Sequence, residues 1–220
     1  MVAFVRRSLK AVEDPERAVS MAAYMKTDMP FYGVSSPARR PIARELKLLY
    51  PAGSATEYRE NVRVLWALPH REEKYLAIGY ALSFKKLITI EQIDLYQQLV
   101  LEGAWWDFVD VIASDLVGRV VLTDRARMRP TLEEWIDHDD MWLRRTALLA
   151  QLRHKTTTDE AMLFDFCQRR AHEKEFFIRK AIGWALREYA RVNPEAVRGF
   201  LRDHEAHLSG LSRREAGKHL

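Results

Sequence analysis

The chain is poor in residues that cross-link small proteins or bind metals. Cys167 is the only cysteine among 220 residues, which excludes an internal disulfide and fits a reducing cytoplasm. The seven histidines show no metal-ligand spacing beyond His204-x-x-His207, a weak signal close to the carboxyl terminus. We therefore expect a cytoplasmic protein that uses no metal and no other cofactor.

Long apolar runs and common catalytic motifs are also missing. No stretch has the roughly 20 consecutive apolar residues that a membrane helix needs, and the segment MVAFVRRSLKAVEDPERA turns acidic too early for a signal peptide. There is no Gly-rich phosphate loop, and no Ser/His/Asp or Cys/His arrangement can be argued. The chain therefore has no expected membrane partner and no recognisable nucleotide-hydrolysing or nucleophilic chemistry.

What the chain does contain is enough apolar material for a folded core. Hydrophobic residues make up 48% of the sequence, a fraction typical of globular rather than disordered proteins. No compositional shift marks a linker, so the sequence predicts one domain over residues 1–220. We expect that domain to be a monomer with no obligate protein partner.

Positive charge is concentrated in the second part of the chain. The net charge is +4, but residues 141–220 alone hold 16 Lys/Arg against 10 Asp/Glu. Such asymmetry indicates a polyanionic partner, with nucleic acid as the leading candidate. Charge alone leaves open a plain reading, in which these residues form the solvated surface of Arg-rich helices.

The sequence reads as a succession of helices without a convincing strand. Ser36-Pro37 and Asn193-Pro194 have the cap-then-proline pattern of helix starts, and helices are predicted near residues 56–68, 71–84 and 174–191. Four segments have the spacing of a capping box: Thr89-x-x-Gln92, Thr131-x-x-Glu134, Thr157-x-x-Glu160 and Ser212-x-x-Glu215.

Short segments recur along the chain. The segment AIGYAL at 77–82 returns as AIGWAL at 181–186, and WLRRT at 142–146 resembles FIRKA at 177–181. The offsets of 104 and 35 residues share a period near 35, which suits a repeated two-helix unit. Stacked helix pairs form a solenoid, whose concave face suits a long ligand such as duplex DNA.

The stretch GAWWDFVD at 103–110 interleaves aromatic and acidic side chains. Trp106 and Asp110 are four residues apart and so share one face of a helix, which continues through Ala113, Ser114 and Val117. The neighbouring stripe of Trp105, Val109, Ile112 and Leu116 is fully apolar and reads as core. Trp106 and Asp110 therefore read as the edge of the core or the lip of a groove.

A second unusual charge is Arg145, whose helical neighbours Met141, Leu148 and Leu152 are apolar. The plain interpretation is an Asp110–Arg145 ion pair between packed helices, with the tryptophans as core. Trp184, three residues before Arg187, and Tyr24, on an early helix, are further aromatic candidates. Spacing alone leaves the choice between structural pair and functional site open.

At these residues the sequence resembles the AlkD-like DNA alkylation repair glycosylases, which are built of HEAT-like helical repeats. The blocks WWDFVD and FFIRKAIGWALREYA are its specific signals. The resemblance runs nearly end to end, over residues 21–40, 65–81, 105–110, 142–152, 175–197 and 211–219.

The resemblance implies an all-α fold, an α-solenoid of HEAT-like repeats with a concave DNA-binding face. It implies that Trp106, Asp110 and Arg145 line the site, with Trp184 and Tyr24 beside duplex DNA. The expected reaction is hydrolysis of the N-glycosidic bond of cationic N3- or N7-alkylated purines, without deep base flipping and without strand cleavage. The expected location is the cytoplasm, in association with the nucleoid.

The residue types suit that chemistry. An alkylated purine is already a good leaving group, so a fixed carboxylate such as Asp110 is needed mainly for the oxocarbenium-like sugar and for the attacking water. Arg145 is expected to orient Asp110 and hold a flanking phosphate. Basic residues expected along the DNA backbone are Arg39, Arg40, Arg44, Arg144, Arg153, Lys155, Arg179, Lys180, Arg187, Arg213 and Arg214.

Two other interpretations remain. A non-catalytic helical-repeat protein could bind branched or distorted DNA without excising a base, although the intact Trp106/Asp110/Arg145 set argues against it. A protein-binding scaffold could use the basic part of the chain to dock an acidic partner. Base release from alkylated duplex would indicate the glycosylase. Junction binding without release would indicate the non-catalytic DNA-binding protein. Salt-insensitive or absent DNA binding would indicate the protein-binding scaffold.

Overall fold

The structure, a computed structural model that describes all 220 residues, consists of helices joined by turns and short loops, without strands. None of these helices has the length and apolarity required to span a bilayer. Its internal contacts divide the chain into two compact units, Met1–Ile88 (unit 1) and Thr89–Leu220 (unit 2). The predicted all-α class of packed helix pairs is confirmed; the single domain remains a prediction.

Unit 1 contains five α-helices: α1 (Val2–Lys10), α2 (Pro15–Met25), α3 (Ser36–Leu49), α4 (Ala55–Trp66) and α5 (Arg71–Ser83). Helices α3 and α4 both pack on α5, and Leu46, Tyr58, Leu65 and Leu76 are buried between them. Helix α2 buries none of its residues. The early helix predicted around Tyr24 is therefore real but lies on the surface.

A buried carboxylate fixes the loop between α2 and α3. Glu72, fully buried, accepts hydrogen bonds from the backbone N–H groups of Tyr32 and Val34, both at 3.0 Å. Gly33, between them, has φ +78, and an added Cβ would lie 2.0 Å from the carbonyl oxygen of Asp14. The tight approach explains why glycine stands there.

Unit 2 contains nine α-helices: α6 (Ile93–Gly103), α7 (Trp106–Val111), α8 (Gly118–Thr123), α9 (Arg125–Ile136), α10 (Met141–Leu149), α11 (Glu160–Arg169), α12 (Phe176–Ala190), α13 (Pro194–Asp203) and α14 (Gly210–Ala216). A π-helical segment, Ile112–Val117, joins α7 to α8. Helix α10 packs against α6, α7, α9, α11 and α12. It is the central helix of unit 2, and it carries Arg145.

Helix starts are fixed mostly by single caps. The predicted start at Asn193-Pro194 is confirmed, since the Asn193 side chain accepts a hydrogen bond from the Ala196 N–H. Ser35, rather than Ser36, precedes α3. Asp140 and Asp159 cap α10 and α11. Short polar side chains here satisfy N–H groups that lack a partner in the first turn.

The four predicted capping boxes are wrong. Thr131 lies inside α9, and Ser212 lies inside α14, which Ser209 caps. Thr157 ends a 3₁₀ turn two residues before the true cap, and Thr89 precedes a 3₁₀ turn without capping it through its side chain. Glutamate and glutamine are good helix formers, so the spacing also arises within helices. The capping box that does form joins His70 and Glu73.

The two glycines of the repeated AIG segment differ in their surroundings. At Gly183 on α12, an added Cβ would lie 2.5 Å from the Cβ of Glu215 and 2.8 Å from the carbonyl oxygen of Ser212. Helix α14 thus approaches α12 as closely as backbone allows. At Gly79 on α5 an added Cβ meets nothing within 4 Å.

This difference gives a stability prediction with an internal control. Gly183→Ala should destabilise the protein by about 1–3 kcal/mol, because the extra methyl overpacks the contact between α12 and α14. Gly79→Ala should be neutral or stabilising, because alanine is the better helix former in open space. Thermal denaturation of both variants checks the contrast. Equal melting temperatures for the two variants would contradict it.

Candidate active site

The site begins where α6 ends. Ala104 has φ +35, a left-handed conformation that stops α6, and Trp105 then takes an extended conformation ahead of α7. Trp106 is the first residue of α7, and Asp110 follows one turn later on the same face. Both side chains are partly exposed, so they lie at the edge of the core, as predicted.

Asp110 and Arg145 form a two-pronged ion pair between α7 and α10. The Arg145 Nε donates to Oδ1 of Asp110 at 2.7 Å, and its Nη2 donates to Oδ2 at 2.9 Å. The Asp110 side chain keeps 13% of its surface exposed and the Arg145 side chain 4%. This parallel geometry holds the carboxylate in one orientation.

The Arg145 guanidinium is anchored on its other side by α12. Its Nη1 donates to the carbonyl oxygen of Phe177, and its centre lies 5.7 Å from the Phe177 ring centroid. Three of its five N–H bonds are therefore engaged, and it is almost completely buried. This arrangement supports the expected role of orienting Asp110, and it leaves little surface for the phosphate contact also expected of Arg145.

Burial and ion pairing act in opposite directions on Asp110. Burial in the protein raises the pKa of the Asp110 carboxyl, and the hydrogen bonds and charge of Arg145 lower it; burial is the larger effect, so the pKa lies above its ordinary value. Asp107, one turn earlier, adds to the increase. Asp110 is thus a carboxylate with unusually poor hydration, held in place by one cation.

An aromatic cluster of Trp105, Trp142 and Phe177 lies beside Arg145. The Trp105 ring lies 5.5 Å from Phe177 and 6.0 Å from Trp142, and Trp142 lies 4.9 Å from Phe177. Val109, Ile112 and Leu116 are fully buried, as predicted for their stripe, but Trp105 is only partly buried. Phe177 was not among the predicted site residues, although it follows Trp142 by the 35-residue repeat.

The π-helical segment changes the face that follows Asp110. A regular α-helix would place Ala113, Ser114 and Val117 in line with Asp110, but all three are buried. The Ser114 hydroxyl donates to the carbonyl oxygen of Asp110 at 2.8 Å. This hydroxyl thus satisfies the backbone carbonyl oxygen of the residue that carries the carboxylate. Single turns of π-helix often occur at functional sites.

Three cations surround Glu215, a carboxylate that was not among the predicted site residues. Glu215 accepts from Lys218 at 2.8 Å, Lys180 at 2.9 Å and Arg187 at 3.0 Å. The Arg187 guanidinium also lies 5.9 Å from the centroid of the partly buried Trp184 ring. Lys180 and Arg187, expected to contact DNA, are therefore held by Glu215. The 35-residue spacing from Lys180 to Glu215, which matches that from Asp110 to Arg145, is the signal that could have found it.

Other expected DNA contacts differ in how accessible they are. Arg144 donates twice to Glu173, at 2.9 and 3.0 Å, and to the carbonyl oxygens of His138 and Asp139, with 13% of its side chain exposed. This arrangement favours a structural role over phosphate binding. Arg179 is partly buried, and its Nε has no hydrogen-bond partner.

Four expected DNA contacts lie in unit 1: Tyr24, Arg39, Arg40 and Arg44. Tyr24 on α2 is 72% exposed, and with Ser20, Met21 and Met25 it lines a shallow depression. Arg40 on α3 is exposed. Both are accessible as expected, whereas Trp106, Asp110, Arg145 and Trp184 lie in unit 2, on α7, α10 and α12.

The protein thus combines an all-helical fold with a carboxylate–guanidinium pair that lies beside aromatic rings and cations. The family model described as DNA alkylation repair enzyme matches residues 5–220, and the chain belongs to this family. A solved structure described as a predicted DNA alkylation repair enzyme from Enterococcus faecalis is similar, with a TM-score of 0.87 and 30% sequence identity over 94% of this chain and 96% of that one. No curated protein sequence matches the chain significantly. The family supports a role in DNA repair.

The Glu215 cluster predicts a pH-dependent stability. Lys218 and Lys180 lower the pKa of Glu215 from 4.5 to about 2, so its stabilising effect is complete above pH 4.5 and is lost as the pH falls toward 2. Glu215→Gln should melt at a lower temperature than wild type at pH 7, and the difference should shrink below pH 4.5. A difference that is constant from pH 7 to pH 3 would contradict this ionic contribution.

Proposed function

We propose that this protein is a monofunctional DNA glycosylase. Its substrate would be duplex DNA carrying cationic purines alkylated at N3 or N7, and its reaction would be hydrolysis of the N-glycosidic bond. The observation that carries the proposal is the Asp110 carboxylate, fixed by Arg145 between two helices, partly exposed and one turn from Trp106. Membership of the DNA alkylation repair enzyme family supports a role in DNA repair.

Asp110 is proposed to stabilise the sugar. As the purine leaves, positive charge develops on the deoxyribose, and a fixed carboxylate in a poorly hydrated site interacts with that charge more strongly than one in water. Arg145 offsets part of the negative charge, but it is fixed on the far side by Phe177. The exposed edge of Asp110 then faces the ligand.

The same carboxylate is proposed to hold the attacking water. An ionised carboxylate has about four lone-pair positions, and the bidentate arginine uses one on each oxygen. The remaining positions accept hydrogen bonds from water, which then adds to the sugar carbon that the purine leaves. The proton released from this water passes to Asp110 or to solvent. The departing alkylated purine leaves as a neutral base and needs no general acid.

Two further features bear on the proposed reaction: the Trp106 ring and the guanidinium that pairs with Asp110. Trp106 would present its ring to the cationic lesion or sugar, a contact of roughly 0.5–2 kcal/mol when desolvated. Strand cleavage by glycosylases with a lyase step requires an amine that forms a Schiff base. The cation against Asp110 is a guanidinium, so the product is an abasic site in an intact strand. Because the pair lies at the edge of the core, deep base flipping is not required.

The direct test replaces Asp110. Asp110→Asn should lower single-turnover release of 7-methylguanine or 3-methyladenine from alkylated duplex by about 100–1,000-fold, the usual effect of removing one preorganised electrostatic group. Asp139→Asn, the same change in an exposed loop, should keep the wild-type rate. Equal release by wild type and Asp110→Asn would remove Asp110 from the mechanism. Tight junction binding without release by wild type would favour a non-catalytic protein.

The raised pKa of Asp110 predicts the acid limb of the pH profile. The ionised carboxylate is the active form, so enzymatic release should fall with decreasing pH around a midpoint above 3.8, the ordinary value. Arg145→Gln removes the cation that lowers this pKa, so the midpoint should move to higher pH. The measurement is the release rate against pH after subtraction of uncatalysed depurination. A midpoint that does not move in Arg145→Gln would contradict the coupling.

A further inference from the structure

A cleft of about 590 Å³ lies in unit 2 beyond the ion pair, between the carboxyl-terminal parts of α10 and α12 and the loop at 150–158. Its floor is apolar and includes Leu148, Leu152, Leu163 and Val192. A volume of this size on an apolar floor is typical of a ligand site. None of the proposed catalytic residues lines it.

The rim of the cleft is cationic. Arg153, Lys155 and Arg191 line it together with one carboxylate, Glu188. Arg153 pairs with Asp115 at 2.8 Å, and Arg191 pairs with Glu188 at 3.3 Å, yet their side chains remain 64% and 55% exposed.

Lys155 is the distinctive member of this rim. It is exposed and forms no salt bridge, and its backbone has φ +52, in the left-handed region that residues with a side chain rarely adopt. Such strain persists only where the surrounding structure imposes it. The loop that follows α10 therefore holds an unpaired ammonium group at the mouth of an apolar cleft.

The cleft continues the faces that carry the proposed site. On α10, Leu148 follows Arg145 by three residues, and on α12, Glu188 follows Trp184 by four; Leu152 and Arg191 lie in the turns just after these helices. These spacings keep residues on one side of a helix. At 1.5 Å per residue the cleft lies roughly 5–10 Å further along, or about one to three nucleotides of a DNA strand at 3.4 Å each.

We propose that this cleft binds a deoxyribose phosphate, with Lys155 and the neighbouring arginines contacting the phosphate and the leucine floor contacting the sugar. The proposal rests on the proposed function, because it takes DNA as the substrate. The sugar phosphate belongs either to the strand that carries the lesion, one to three nucleotides from it, or to a free nucleotide. In the first case the cleft sets how much flanking DNA the enzyme needs.

The test distinguishes the contribution of the Lys155 charge from the contribution of the shape of the cleft. Lys155→Glu should weaken binding to an undamaged fluorescent duplex about tenfold and reduce the slope of log affinity against log salt by about one, as for a lost phosphate contact. Lys174→Glu, the same charge change ahead of the opposite end of α12, should have a much smaller effect. Thr156→Trp should fill the cleft and weaken binding without changing the slope, whereas Thr123→Trp, at another exposed threonine, should not.

Free deoxyadenosine monophosphate distinguishes the sources. If it binds wild type and competes with the duplex, and both cleft variants lose it, the cleft takes free nucleotides as well. If only duplex binding responds to the variants, the strand alone supplies the sugar phosphate. The proposal is overturned if both cleft variants bind duplex as their matched controls do.

Measuring base release distinguishes a failure of the cleft proposal from a failure of the proposed function. With protein in saturating excess, wild type and the control variants Lys174→Glu and Thr123→Trp should release base at one common rate, because Asp110 and Arg145 are unchanged. Normal release together with unchanged duplex affinity would reject the cleft and leave the glycosylase. Wild type that neither binds nor releases would reject both.

Discussion

The bidentate pair of Asp110 and Arg145 is the interaction on which the rest of unit 2 depends. A charge is buried in a protein only when it is paired, and removing one partner of such a pair leaves the other stranded at considerable cost. Here the pair joins α7 to α10, and the third arm of Arg145 reaches the Phe177 carbonyl at the start of α12. The interaction that holds three helices together therefore also fixes the orientation of the proposed catalytic carboxylate.

The same pairing recurs two 35-residue periods further along the chain. Lys180 and Glu215 lie 35 residues apart, as do Asp110 and Arg145, and each pair joins two helices, α12 with α14 and α7 with α10. The order of acid and base is reversed, and the second carboxylate meets three cations in place of one. One position of a structural repeat therefore supports two electrostatic environments. In one, burial raises the carboxyl pKa, and in the other, surrounding cations lower it.

Much of the fold and the candidate site residues could be predicted from local sequence patterns. The helix start at Asn193 and the stripe of Val109, Ile112 and Leu116 follow from capping preference and periodicity. The capping-box spacing at Thr131 and Ser212 could not be separated from a helix interior, because the same residues fit both. The π-helical segment after Asp110 was also hidden, since its residues are compatible with an ordinary α-helix.

By itself the sequence determined an all-helical chain, a basic second part, a repeat near 35 residues, and Asp110 and Arg145 as charges on otherwise apolar helix faces. Only the tertiary structure decided which basic side chains already form ion pairs within the protein. Arg144, Lys180 and Arg187 read as surface charges along the chain, but each finds a carboxylate on a different segment, Glu173 or Glu215. Charge is a property of the residue, whereas its availability to a ligand depends on neighbours that the fold brings together from far along the chain.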